Sequence, residues 1–311
     1  MKKRAVVFAG QGAQFVGMGK DLAAAYPECK ALYDAAHAVL GFDLGKLSAE
    51  GPLDELTQSH NCQPAIFVAS VACFTALRKR VPGLALDGAA GLSLGEWTAL
   101  HVAGVLSFED TVRILKARGT FMQEACDERP GGMVSVMGLP MPELEKICAA
   151  AGVQIANLNS PEQTVLSGDK PKIVEAEKLA QAAGAKKTVM LTVAGAFHSS
   201  LMASAAVKLE QVLAGVKFNP PTVPVVANVS GQPHGAPDDI KRAMVKQVTS
   251  SVRWVSSVEW FRQAGVTEYV ECGPGKVLSG LIKRIDKEAA SVSVQDCPSL
   301  DKAAAALNAA V

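Results

Sequence analysis

Residues 91–95 read Gly-Leu-Ser-Leu-Gly and stand between two stretches of opposite character. Leu84–Ala90 is short and apolar, the pattern of a buried strand, whereas Glu96–Ala103 is a run of good helix formers. A serine between two glycines where a strand turns into a helix is the nucleophile-elbow arrangement. The serine must take a strained backbone conformation so that its hydroxyl projects, and the glycines leave room for strand and helix to cross. The expected fold is therefore α/β. In a parallel sheet Ser93 lies at the carboxyl edge, where such folds gather their ligands.

The 311 residues are 49% hydrophobic and 20% charged, enough to bury a sizeable core in one large domain or two unequal ones. Lysine plus arginine number 31 against 30 aspartates and glutamates, which removes any bulk-charge argument for nucleic acid or an anionic membrane surface. Cysteines at 29, 62, 73, 126, 148, 272 and 297 have neither C-x-x-C nor Cys/His ligand spacing. No metal site and no disulfide framework is expected from them, and a reducing cytoplasm fits. Lys2-Lys3-Arg4 is followed by an apolar run too short for a signal peptide, and no stretch approaches the roughly 18 apolar residues of a membrane span.

Ala5–Ala9 reads as a first buried strand ending in the turn Gly10-Gln11-Gly12. Phe15 stands where a dinucleotide fingerprint needs its third glycine, so no nucleotide cofactor is expected. Met18–Arg80 is rich in Ala, Leu and Glu, with a buried helix over Gln63–Lys79, and Ser107-Phe108-Glu109-Asp110 caps a helix running to Cys126. Arg113 on that helix reads as part of a solvated face. Strands at Met133–Met137, Val153–Asn157, Thr164–Ser167 and Thr188–Val193 alternate with helices at Pro142–Ala151 and Pro171–Ala183, with a turn at Asn159-Ser160-Pro161. That β-α-β-β-α-β order is the ferredoxin-like unit. The expected division is a large domain of residues 1–127 and 197–311 interrupted by a small one of residues 128–196. In the second part, Leu201–Leu213, Pro237–Val248 and Ser256–Ala264 read as helices, Thr222–Asn228 and Glu268–Glu271 as strands, and the tail from Asp301 as a terminal helix.

Serine-mediated acyl transfer needs a base and backbone N–H groups for the oxyanion. Gln11, in the tight turn, and Leu94, first in the elbow helix, can supply those donors. Among the histidines at 37, 60, 101, 198 and 234, His198 is the base candidate: it follows a glycine at a domain junction and precedes a helix. His101 would point away from Ser93, His234 reads as solvated in a Gly/Pro loop, and His37 and His60 read as surface or packing residues. No aspartate at a strand end stands out as a third catalytic member.

Six separated motifs then occur in order: G-Q-G-A-Q at Gly10–Gln14, G-x-S-L-G-E at Gly91–Glu96, R-G-x-F-M-Q-E-A at Arg118–Ala125, N-S-P at Asn159–Pro161, F-H-S at Phe197–Ser199 and G-P-G-K-V-L at Gly273–Leu278. Along essentially its whole length the chain resembles the malonyl-CoA:acyl carrier protein transacylase family. The resemblance implies an α/β-hydrolase-like large domain with an inserted ferredoxin-like subdomain. It implies that Ser93 accepts a malonyl group from malonyl-CoA, with His198 as base and then acid. The group then passes to the phosphopantetheine thiol of an acyl carrier protein, in a ping-pong reaction. Arg118 would hold the malonyl carboxylate, and Phe197, Asn159 and Met122 would line the substrate site. The backbone carbonyl of Gln247 would orient His198 in place of a carboxylate. No resident cofactor or metal is implied, since coenzyme A arrives as a thioester substrate and phosphopantetheine comes with the partner. The partner is acidic, and Lys186, Lys187, Lys283 and Arg284 are the candidates for docking it on a cytoplasmic monomer. The family usually carries histidine where this chain has Leu92. A serine thioesterase of the same fold and a free-standing polyketide-synthase acyltransferase are the alternatives.

Overall fold

In the computed structural model, which describes residues 2–308, eight strands form two four-stranded sheets. They are β1 (Lys3–Phe8), β2 (Gly88–Gly91), β3 (Gly131–Met137), β4 (Gln154–Ser160), β5 (Gln163–Asp169), β6 (Lys187–Met190), β7 (Val266–Cys272) and β8 (Ala290–Val294). The first sheet has the order β2-β1-β7-β8 and is parallel throughout. Parallel strands are covered on both faces, so β1 is a continuous buried run after Lys3. Its side chains alternate between two cores. Val6 and Phe8 join the larger cluster, which contains much of the helix Ser59–Arg80, while Ala5 and Val7 face Trp254, Phe261 and Tyr269 on the other side.

The second sheet has the order β4-β5-β3-β6 and is antiparallel throughout. Together with the helices Met141–Ala151 and Lys170–Ala182 this is the ferredoxin-like arrangement. Val134, Val136 and Leu166 pack with Ile147, Ile173 and Ala176 in a core of their own. Met133 and Val165, one residue out of step, belong to the large core instead. The small sheet is thereby amphipathic in a special sense: one face holds its helices and the other is seated on the rest of the protein. β4 is also stitched to the segment before the helix Trp254–Gln263, through Leu158 N–H to Val252 O (2.9 Å) and Val252 N–H to Ala156 O (2.8 Å).

Several expected elements are altered. Thr222–Asn228 is not a strand: it touches β2 through one parallel bridge, Ala89 with Val225, because Pro224 has no N–H to extend the ladder. Leu84–Asp87 lies outside β2, β4 runs on through Ser160, and β6 stops at Met190. The helix Val277–Ile285 and strand β8 follow β7 without having been expected. The terminal helix begins at Cys297 and is described to Asn308; residues 309–311 of the expected alanine-rich tail lie outside the described residues. Among the described residues no helix is long and apolar enough to cross a membrane.

Candidate active site

At the elbow, Ser93 has φ 56° and ψ −108°, a conformation that few non-glycine residues adopt. The flanking glycines explain how it is reached. A Cβ on Gly91 would lie 2.0 Å from the Gly95 carbonyl carbon, and one on Gly95 would lie 2.1 Å from Phe8 O of β1. Asn228 braces the turn from outside: its Oδ1 accepts Ser93 N–H at 2.7 Å and its Nδ2 donates to Gly91 O at 2.7 Å. The Gly10 turn is also packed too tightly for a side chain, since a Cβ there would stand 2.6 Å from Leu92 O. Gln11 is thus brought beside Ser93, and its own side chain is tied back to Ser59 Oγ at 3.2 Å.

His198 also has a positive φ, 57°. Its Nε2 lies 2.9 Å from Ser93 Oγ, and its Nδ1 lies 3.0 Å from Gln247 O and 3.2 Å from Ser250 O. Carbonyl oxygens can only accept, so Nδ1 carries the hydrogen and Nε2 presents its lone pair to the serine hydroxyl. Burial, followed by the nearby Arg118 charge, pushes the imidazole down to about 4, against the pull of the two carbonyls. The ring is neutral at neutral pH, the state a general base requires.

Arg118, on the helix Phe108–Glu128, is 1% exposed. Nη1 donates to Gln63 Oε1 (2.7 Å), and Nη2 donates to Gln247 Oε1 (3.0 Å) and Ser93 Oγ (3.1 Å), while Nε is buried with no acceptor among the described residues. Burial lowers it to about 10, opposed by Glu96, so it remains a cation at neutral pH. No carboxylate lies within ion-pair distance of it among the described residues. A desolvated guanidinium without an anion is a receptor for one.

A cleft of about 510 Å³ opens over these groups and is lined by Gln11, Ser93, Arg118, Met122, Asn159, Phe197 and His198. Leu92 lines it too, giving an apolar surface beside the nucleophile. Leu94 and Gln247 stand behind it, both fully buried. The N–H groups of Leu94 and Gln11 have no protein acceptor among the described residues, so both are free to meet an oxyanion. Of the basic candidates, Lys283 and Arg284 are exposed on the helix that places Val277 and Leu281 in the cleft wall. Lys186 and Lys187 are not brought there. They sit opposite Met137, four residues along β3 from the cleft residue Met133, about 13 Å away at a strand's rise per residue. Lys186 pairs with Glu162.

Two histidine readings resolve differently. His101 is turned to Leu106 O (3.0 Å), and Arg113 sits in an exposed pair with Asp110, as expected. His234 is not solvated: its side chain is 1% exposed and its Nε2 lies 2.7 Å from Glu96 Oε1. Sequence reasoning also missed Gln63, Glu96, Asn228 and the side chain of Gln247. Asn228 is fully buried, although its local sequence Asn-Val-Ser gives no sign of it.

The parallel sheet with its elbow serine, and the ferredoxin-like sheet beside it, define the α/β-hydrolase-like class. Residues 5–302 match the family described as acyl transferase domain. The malonyl CoA-acyl carrier protein transacylase of Escherichia coli (strain K12) is 44% identical over 289 residues, covering 92% of this chain and 93% of that one. Its namesake from Bacillus subtilis (strain 168) is 40% identical over 308 residues, covering 97% and 96%. Among solved structures, an acyl carrier protein S-malonyltransferase from Vibrio cholerae O1 biovar eltor superposes with a TM-score of 0.93 at 40% identity, covering 97% and 99%. A malonyl-transacylase in complex with its type II PKS acyl-carrier protein superposes with a TM-score of 0.94 at 39% identity, covering 98% and 99%. The chain belongs to the acyl transferase domain family, and within it to the malonyl CoA-acyl carrier protein transacylases.

Proposed function

We propose that this chain transfers a malonyl group from malonyl-CoA to the phosphopantetheine thiol of an acyl carrier protein through an ester on Ser93. The observation that carries this reading is the unpaired, buried guanidinium of Arg118, whose Nη2 is 3.1 Å from the hydroxyl that also meets His198 at 2.9 Å. An acyl group with a second carboxylate satisfies both requirements at once: its thioester carbon reaches Ser93 while its free carboxylate neutralises Arg118.

In the first half-reaction His198 Nε2 takes the Ser93 proton as Oγ attacks the thioester carbonyl. The oxyanion is met by the N–H groups of Gln11 and Leu94, and collapse expels the coenzyme A sulfur, which takes the proton from the imidazolium. The second half-reaction runs in reverse with a new thiol. The carrier's sulfhydryl gives its proton to Nε2, sulfur attacks the ester carbonyl, and Ser93 leaves with the proton returned. The backbone carbonyls of Gln247 and Ser250 keep the ring in one tautomer throughout. Phe197, Asn159 and Met122 shape the wall around the acyl group. His198 relays both protons, from Ser93 to the coenzyme A sulfur and then from the carrier thiol back to Ser93. Lys283 and Arg284 at the cleft rim attract the acidic carrier, with Lys186 and Lys187 as outlying contributors. Seven free cysteines fit a reducing cytoplasm.

The deciding experiment follows malonyl-CoA with and without phosphopantetheinylated carrier. Malonyl-carrier formation with slow hydrolysis is expected, whereas rapid hydrolysis indifferent to the carrier would establish a thioesterase instead. Mass spectrometry should find the malonyl ester on Ser93 and lose it in Ser93→Ala; an undiminished adduct in that variant would disprove the nucleophile.

A further inference from the structure

We infer that Glu96 is a positioning residue for this reaction, acting through the side chain of Gln247 and held in place by His234; the inference rests on the transfer chemistry proposed above. Glu96 lies three residues beyond the nucleophile on the elbow helix Leu94–Val102 and is completely buried. Its carboxylate is fully engaged. Oε1 lies 2.7 Å from His234 Nε2, and Oε2 accepts from Gln247 Nε2 at 2.6 Å and from Asn228 N–H at 3.2 Å. A buried carboxylate is retained at a large desolvation cost, and nothing in the proton-transfer steps uses it. Its contacts show what it does instead.

Gln247 serves three parts of the site, two of them through its side-chain amide. Its Oε1 accepts from Arg118 Nη2 (3.0 Å), its Nε2 donates to Ser93 O (2.9 Å), and its backbone oxygen receives His198 Nδ1 (3.0 Å). The amide works in one orientation. Flipped, it would set an NH2 group against the guanidinium and an oxygen against both the Ser93 carbonyl and Glu96. An ionised carboxylate can only accept, so Glu96 forces Nε2 toward itself and Oε1 toward Arg118. Since Glu96 is acceptor-only, His234 must donate from Nε2, which pins the carboxylate from the opposite side. Glu96 also provides negative charge behind Arg118, favouring its cationic form. No carboxylate touches His198 itself among the described residues. Serine triads place a carboxylate directly on the histidine. Here two carbonyls orient the ring, and the carboxylate is set back by the length of one glutamine.

The test is a double-mutant cycle on malonyl transfer. Glu96→Gln keeps the shape but supplies a donor and no charge, and Gln247→Met removes the amide while keeping the backbone carbonyl on His198. Each is expected to lower kcat for malonyl-CoA roughly ten- to a hundredfold, with KM moved less, and the double variant should be no slower than the slower single within about twofold. Losses that multiply would overturn the inference. Malonyl-CoA should suffer more than acetyl-CoA in Glu96→Gln, because a displaced guanidinium injures only the acidic substrate; equal losses would mark a structural role and also refute it. If near-UV circular dichroism shows Glu96→Gln to be unfolded, His234→Gln with Gln247→Met runs the same cycle with the same deciding outcomes. Failure of the transfer reading itself is read separately, as carrier-independent hydrolysis by the unaltered protein.

Discussion

Replacing Arg118 by methionine tests the substrate assignment most directly. Methionine keeps length and apolar bulk and removes the charge together with the donors to Gln63, Gln247 and Ser93. With malonyl-CoA bound, the substitution leaves a carboxylate in a site where the guanidinium is 1% exposed. Losing one partner of such a pair costs about 3–5 kcal/mol, which at about 1.4 kcal/mol per decade is on the order of 10² to 10³·⁵ in kcat/KM. With acetyl-CoA the sign differs. The unaltered protein must leave its guanidinium facing a methyl group, and methionine relieves that mismatch, so acetyl transfer should hold or rise. The malonyl-to-acetyl preference should therefore fall by at least about a hundredfold. Discontinuous assays with radiolabelled acyl groups and saturating carrier give both numbers, and a thermal melt registers the cost of orphaning the Gln63 and Gln247 oxygens. If both substrates lose rate by the same factor, Arg118 is scaffolding and the carboxylate receptor lies elsewhere.

Three further outcomes are expected. Because the folded His198 is held near 4 rather than near its usual value, ester formation on Ser93 should keep its rate well below pH 6.5 and fall near pH 4, and a half-point at 6.5 in rapid-quench measurements would contradict the burial argument. In stability the sign follows from the same depression: between about 6.5 and 4 the unfolded chain binds the proton and the folded one does not, so this histidine's contribution is lost as pH falls through that window. Gly95→Ala should lower the melting temperature by several degrees and reduce activity with it, because the new methyl would stand 2.1 Å from Phe8 O, a backbone atom of a central strand; an unchanged melt would show that strand and helix do not cross as described.

What could be read from the sequence was local. β1 with its glycine turn, the elbow, and the small antiparallel unit all declare themselves within a few residues, through apolar runs, period and punctuation. Thr222–Asn228 misled because β-branched composition says nothing about whether a neighbouring strand can be paired past Pro224. The helix Val277–Ile285 is legible in principle, since Val277, Leu278, Leu281 and Ile282 follow helical spacing directly after Gly273-Pro274-Gly275. Asn228 and His234 were not legible at all. Their partners Ser93 and Glu96 are 135 and 138 residues away, and no local signal distinguishes a buried imidazole with a carboxylate partner from a solvated one.

The place of β1 between β2 and β7 also bears on how the protein is made. A ribosome releases β1 first and β2 after Gly91, but the other edge of β1 stays bare until Val266–Cys272 has emerged. Until then the chain carries an apolar parallel strand with one row of unpaired amides and carbonyls, the kind of edge that recruits strands from other molecules. Closing the sheet therefore waits on the synthesis of everything between β2 and β7, and nascent chains interrupted in that interval are the forms most in need of a chaperone.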